Sequence, residues 1–99
     1  MIAAAPTVTA LSALADPTRR RIVEMLAAGP LAAGEIAGRF RLSSPAISQH
    51  LKTLKDAGLV TVRPMAQKRI YQLNPEGVDE LAAWVATIRA FGNPRLDAP

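Results

Sequence analysis

Apolar residues recur at helical spacing in five stretches of the chain, and two short strand-like runs lie between the fourth and the fifth. Val8, Leu11 and Leu14 predict a short helix from about Thr7 to Ala15. Asp16 then offers a cap and Pro17 a first helical position, where its missing N–H costs nothing, for a second helix to about Ala28. Ile22, Met25 and Leu26 form its inner stripe, and Gly29-Pro30 stops it. Ile36, Ala37 and Phe40 predict a third helix from roughly Ala33 to Phe40, poorly capped because Ala32 and Ala33 carry no acceptor. Arg41-Leu42-Ser43 is a tight connection. The fourth helix starts at Ser43 or Ser44 with Pro45 in its first turn, turns Ile47, Leu51 and Leu54 inward, and ends at Ala57-Gly58. Leu59 to Arg63 and Arg69 to Leu73 read as two strands joined by a Pro64–Lys68 loop into a hairpin. The last helix runs from about Pro75 to Phe91 behind Asn74, and Gly92-Asn93-Pro94 ends it, leaving a frayed tail to Pro99.

This order predicts a mainly α fold with a small β-hairpin: a winged helix-turn-helix of five helices and a two-stranded wing. The whole chain, 1–99, is one domain, with the helix-turn-helix at about 33–57 and the wing at about 59–73. Helices at about 7–15 and 75–91 remain for dimerisation. Leu81, Trp84, Val85, Ile88 and Phe91, with Val8, Leu11 and Leu14 nearby, offer more apolar surface than so small a domain can cover. The other reading of that surface is completion of a monomer core.

Charge sharpens the picture. The net charge is +4, but residues 1–38 sum to zero, residues 39–69 to +6 and residues 70–99 to −2. A basic middle of this kind is either a solvated face or the footprint of a polyanion binder. On the fourth helix Ser44, Ser48 and Lys52 share the side away from the core, with Ser43, Pro45 and Gln49 beside them. Small residues let a helix sit deep in a major groove, and Gln can pair bidentately with adenine. Arg41, Lys55 and His50 are further candidate contacts. Arg63, Lys68 and Arg69 flank the wing tip, where cations reach phosphates or a flanking minor groove. For His50 a packing or hydrogen-bonding role stands beside DNA contact and metal ligation, and for Trp84 a core or interface role beside ligand stacking.

Other function classes fall away. There is no Cys, which excludes disulfides, thiolate metal sites and a Cys nucleophile, and the single His excludes a His-rich site within one chain. No nucleophile–base–orienter set and no Gly-rich phosphate loop supports an enzyme. No apolar run approaches the roughly 20 residues of a membrane span. The apolar N-terminus has no preceding Lys or Arg and is interrupted by Pro6, Thr7, Thr9 and Ser12, so the expected location is the cytoplasm.

Three segments together resemble the ArsR-type winged-helix repressors. They are Ala15-Asp16-Pro17-Thr18-Arg19-Arg20-Arg21-Ile22, then Ser44-Pro45-Ala46-Ile47-Ser48-Gln49-His50-Leu51-Lys52 followed by Leu54 and Ala57-Gly58-Leu59-Val60, and finally Arg69-Ile70-Tyr71-Gln72-Leu73. The resemblance covers about residues 10 to 91. It implies a homodimeric bacterial or archaeal transcription factor that binds double-stranded DNA at an imperfect inverted repeat, usually repressing its own operon. It places the recognition helix on Ser43 to Ala57 and the wing on Arg63 to Arg69. Two departures qualify it. The Cys-x-Cys motif of metal-sensing members is replaced by Ala33-Gly34-Glu35-Ile36-Ala37, and the last helix has Asp79 and Glu80 but no His, so metal sensing is not inherited and no cofactor is expected. The wing tip has Met65-Ala66-Gln67 where a Gly is common. A small-molecule or protein effector is left open. The runner-up function is a winged-helix protein-interaction module without an operator.

Overall fold

A computed structural model describes residues 4–97, with side chains from 9 to 92. The Val8 side chain and the tail at 98–99, both part of the expectations above, lie outside the described residues. Five helices and three strands follow in the order α1 (Ala4–Ala13), α2 (Pro17–Ala27), β1 (Leu31–Ala32), α3 (Ala33–Ala37), α4 (Ser44–Asp56), β2 (Val60–Met65), β3 (Lys68–Leu73) and α5 (Pro75–Asp97).

Asp16 caps α2 as its sequence position suggests: its Oδ2 accepts from Arg19 N at 3.0 Å, with Pro17 in the first turn. At α3 the missing acceptor at Ala32 is offset from the other side, because Glu35 Oε1 accepts from Ala32 N at 2.8 Å. The third helix is nevertheless shorter than predicted, ending at Ala37 with Gly38 as its C-cap. Two glycines in a short segment weaken the helix, and Arg39 N and Phe40 N tighten instead onto Ile36 O and Ala37 O at 3.1 and 3.2 Å. Phe40 still packs against the core, under the Arg21 guanidinium 5.8 Å from its ring centre.

The sheet has three strands, not two. Leu31 and Ala32 pair antiparallel with Tyr71 and Ile70, giving the order β1-β3-β2. Two residues carry no readable period, and their pairing satisfies the second edge of β3. The hairpin is also longer than the predicted strands, from Val60 opposite Leu73 to Met65 opposite Lys68. Pro64 is admitted because β2 is an edge strand. Only Ala66 and Gln67 remain for the turn, and Ala66 takes φ 57 in the left-handed region.

The core is aliphatic: Ile22, Ile36, Ile47, Leu51, Leu54, Leu59 and Val60 are fully buried. Buried Ala10 and Ala13 bring α1 close to α4 and α5. At the far end of α4, Gly58 adopts φ +79 and its carbonyl accepts from Asn74 Nδ2 at 2.9 Å. A Cβ added at Gly77 would overlap that same carbonyl oxygen, so α5 starts in direct contact with the end of α4. α5 then continues past Gly92-Asn93-Pro94 to Asp97, against the expected stop. A proline removes one ladder hydrogen bond, and so near the end of a long helix little of the ladder is at stake.

Candidate nucleic-acid interface

α4 is amphipathic as its spacing requires. Ile47, Leu51 and Leu54 are buried, while Ser44, Pro45, Ser48, Gln49 and Lys52 are exposed. Ser43 is the N-cap: its Oγ accepts from Ala46 N at 3.2 Å. Lys52 Nζ lies 2.8 Å from Asp56 Oδ2, one turn on. Hydrogen bonding to Asp56 raises the Lys52 pKa, and the same bond to Lys52 lowers that of Asp56. Lys52 therefore carries its own counterion on the outer face. The pair is exposed and contributes little to stability.

The two flanks of α4 are built differently. On one, Ser48, Lys52 and Lys55 line a cleft of about 270 Å³ with Ala33, Arg69 and Tyr71. Strand alternation decides which wing cation joins them: Arg69 shares a face of the hairpin with Tyr71, while Arg63 and Lys68 share the opposite face with Ile70. The three wing cations are thus not one patch. Arg41 is exposed in the connection before α4.

On the other flank His50 faces α1 and α2. Arg19 Nη1 donates to His50 Nδ1 at 3.3 Å, and Asp16 Oδ2 lies 4.0 Å from the same nitrogen. A guanidinium only donates, so Nδ1 accepts and the ring proton belongs on Nε2. Arg19 Nε also donates to Ala13 O at 2.7 Å, which ties the end of α1 to this cluster. The Asp16 carboxyl is held below the usual carboxylate range by the Arg19 backbone N–H first and also by the Arg19 charge, against an opposing desolvation. The part played by Arg19 was not legible in the sequence, because its partner is 31 residues away.

Of the residues expected at a dimer interface, Leu14 and Leu81 are half-buried within this chain, Leu14 against the core. Leu11, Trp84, Val85, Ile88 and Phe91 are exposed, Trp84 by 40% and Phe91 by 81%. Among the described residues no three His, Cys, Asp or Glu side chains are grouped to hold a metal ion. No helix of the described residues is long and apolar enough to cross a membrane.

Comparison with known proteins agrees with this arrangement. Residues 16–62 match the family model described as "Bacterial regulatory protein, arsR family". An HTH-type transcriptional regulator of Mycobacterium tuberculosis is 58% identical over 72 residues, covering 73% of this chain and 67% of that protein. The transcriptional repressor SdpR of Bacillus subtilis is 38% identical over 73 residues, covering 74% of this chain and 81% of that one. Among solved structures, an ArsR-like transcriptional regulator from Rhodococcus superposes with a TM-score of 0.83 at 28% identity, over 99% of this chain and 92% of that one.

Proposed function

The chain belongs to the ArsR family of bacterial regulatory proteins, whose members are DNA-binding transcriptional regulators and not enzymes, and from that premise we propose that it acts in the cytoplasm as a homodimeric repressor at an inverted-repeat operator, without a metal signal. The observation that carries this reading is the outer face of α4. Ser44, Pro45, Ser48 and Gln49 are exposed, small or amide-bearing, and stand beside a cationic cleft. Such a face reads base edges in a major groove, while the hairpin cations Arg63, Lys68 and Arg69 meet backbone or minor groove.

The dimer is supported by the exposed ridge of Trp84, Val85, Ile88 and Phe91 on α5 and by the exposed Leu11 of α1, the helix that packs against α5. A two-fold pairing of this ridge sets two copies of α4 about one helical turn apart on DNA. The helix-turn-helix then spans about 33–57 and the wing about 59–73, with α1 and α5 as the dimerisation helices. The absence of Cys supports a regulator blind to soft metals and arsenite, whose ligands are thiolates.

Selection of bound sequences from a random DNA pool tests the reading. An enriched inverted repeat with half-site centres roughly 10 base pairs apart is expected, bound by a dimer in light scattering and unchanged in affinity by micromolar zinc or arsenite. A pool that enriches no sequence would instead favour a protein-interaction module. A stoichiometric metal that weakens operator binding tenfold or more, about 1.4 kcal/mol of coupling, would remove the metal-independent part.

A further inference from the structure

Tyr71 is only 7% exposed, yet its hydroxyl makes no hydrogen bond to any described residue. No fully buried side-chain N or O atom among the described residues lacks a partner, so the phenol must keep its oxygen in contact with solvent. Tyr71 lines the cleft between α4 and the wing, together with Lys55 and Arg69. Neither cation has an ion pair among the described residues, whereas Lys52 at the same cleft is held by Asp56. Tyr71, Arg69 and Lys55 therefore line one cavity, and none of their donor groups has a hydrogen-bond or ion-pair partner among the described residues. Their chemical complement is an anion with several acceptor oxygens, which a phosphate provides.

We propose that this cleft seats a single backbone phosphodiester of the operator, held by the Tyr71 hydroxyl, the Arg69 guanidinium and the Lys55 ammonium. The inference rests on the DNA-binding reading above. A strand seated here runs between the recognition helix and the wing, with Ser48 of α4 on the same cavity wall. The seat fixes how far α4 enters the major groove relative to the hairpin, and Tyr71 is a positioning donor rather than a reader of sequence.

The test uses the full chain and the selected operator, carrying one neutral methylphosphonate linkage at a time. In the wild type, one linkage in each half-site is expected to weaken binding by roughly tenfold, as for a hydrogen bond to a charged group. Tyr71→Phe keeps the buried ring and should match the wild type in thermal unfolding. It should bind unmodified operator roughly tenfold more weakly per half-site, and the further loss at that one linkage should be smaller than in the wild type, because only Arg69 and Lys55 still meet its charge. A flat methylphosphonate profile in the wild type, or a Tyr71→Phe loss that adds in full at every linkage, overturns the seat. Inorganic phosphate alone is the second probe. If it binds the free protein in a Tyr71-dependent way while the methylphosphonate profile is the same in both proteins, the site belongs to a free anion and the proposal fails. A wild type that binds no DNA sinks the DNA-binding reading as well, and that result appears before any variant is made.

Discussion

The two flanks of α4 differ in how completely the protein answers its own polar groups. Toward α1 and α2, Arg19 donates to the Asp16 carboxylate, the Ala13 carbonyl and His50 Nδ1 within 2.7 to 3.3 Å. Toward the wing, Lys55, Arg69 and Tyr71 line one cavity, and none of the three has a side-chain hydrogen bond or ion pair among the described residues. Burial costs a polar group its water unless a partner replaces it. The closed flank serves the fold, and the open flank is the one the proposed phosphate seat would use. A helix that recognises a partner has to be held from one side and left unanswered on the other.

Four experiments put that contrast at risk. The largest effect lies beneath both flanks. Leu51→Ala empties a fully buried site and should cost roughly 2–5 kcal/mol in denaturant unfolding. An unfolding midpoint close to wild type would mean that α4 is not anchored through its inner stripe. Next comes the outer face between the flanks. Gln49→Ala should lose roughly 1–3 kcal/mol of operator binding and relax one base position, with stability unchanged. Unaltered base preference in a repeated DNA selection would take Gln49 off the reading face.

The flanks themselves are separated by a pair of arginines. Arg69→Ala should lower the log–log salt slope of DNA binding by about 0.9 for each phosphate it no longer neutralises, and leave the melting temperature alone. Arg19→Ala should do the reverse, lowering the melting temperature with the salt slope intact. Equal behaviour of the two variants would erase the distinction between closed and open flank. The smallest effect is one of pH. Because the Asp16 carboxyl is held below its ordinary value, its ionised form is the one the fold favours. That contribution is complete above the unfolded carboxylate value, about 3.9, and is lost as pH falls through the lower folded value. Asp16→Asn keeps a capping oxygen but not the charge, so its stability deficit against wild type should close below about pH 4. A deficit that persists at low pH would assign the effect to the cap alone.

Much of this was legible in the sequence because the relevant signals are local. Asp16-Pro17 announces the start of α2, and Ile47, Leu51 and Leu54 show which side of α4 is buried. The exposed side followed from the same period, and so did the serines and glutamine on it. What was not legible depends on partners far along the chain. β1 exists only because β3 is there to pair with it, and two residues cannot signal that. The hairpin faces were hidden until the register was known, so Arg63, Lys68 and Arg69 read as one group. Tyr71 read as a strand residue, and its open hydroxyl emerges only beside Lys55 and Arg69. Ala66 shows the opposite case: no turn residue marks the tip, and the short loop forces an alanine into a backbone region that glycine enters freely.

Gly77 acts as a caliper stop. Its lack of a side chain lets α5 rest on the Gly58 carbonyl, at the place where α4 ends. In the proposed dimer the paired α5 helices are the frame, and the two α4 helices are the jaws whose gap must match the pitch of DNA. A methyl group at position 77 would wedge each jaw away from the frame. The expected defect is one of fit rather than chemistry: every DNA-facing side chain would remain in place, and the operator with the original half-site spacing would no longer be the best one. A residue that touches neither DNA nor the partner subunit would in this way set which spacing the protein prefers.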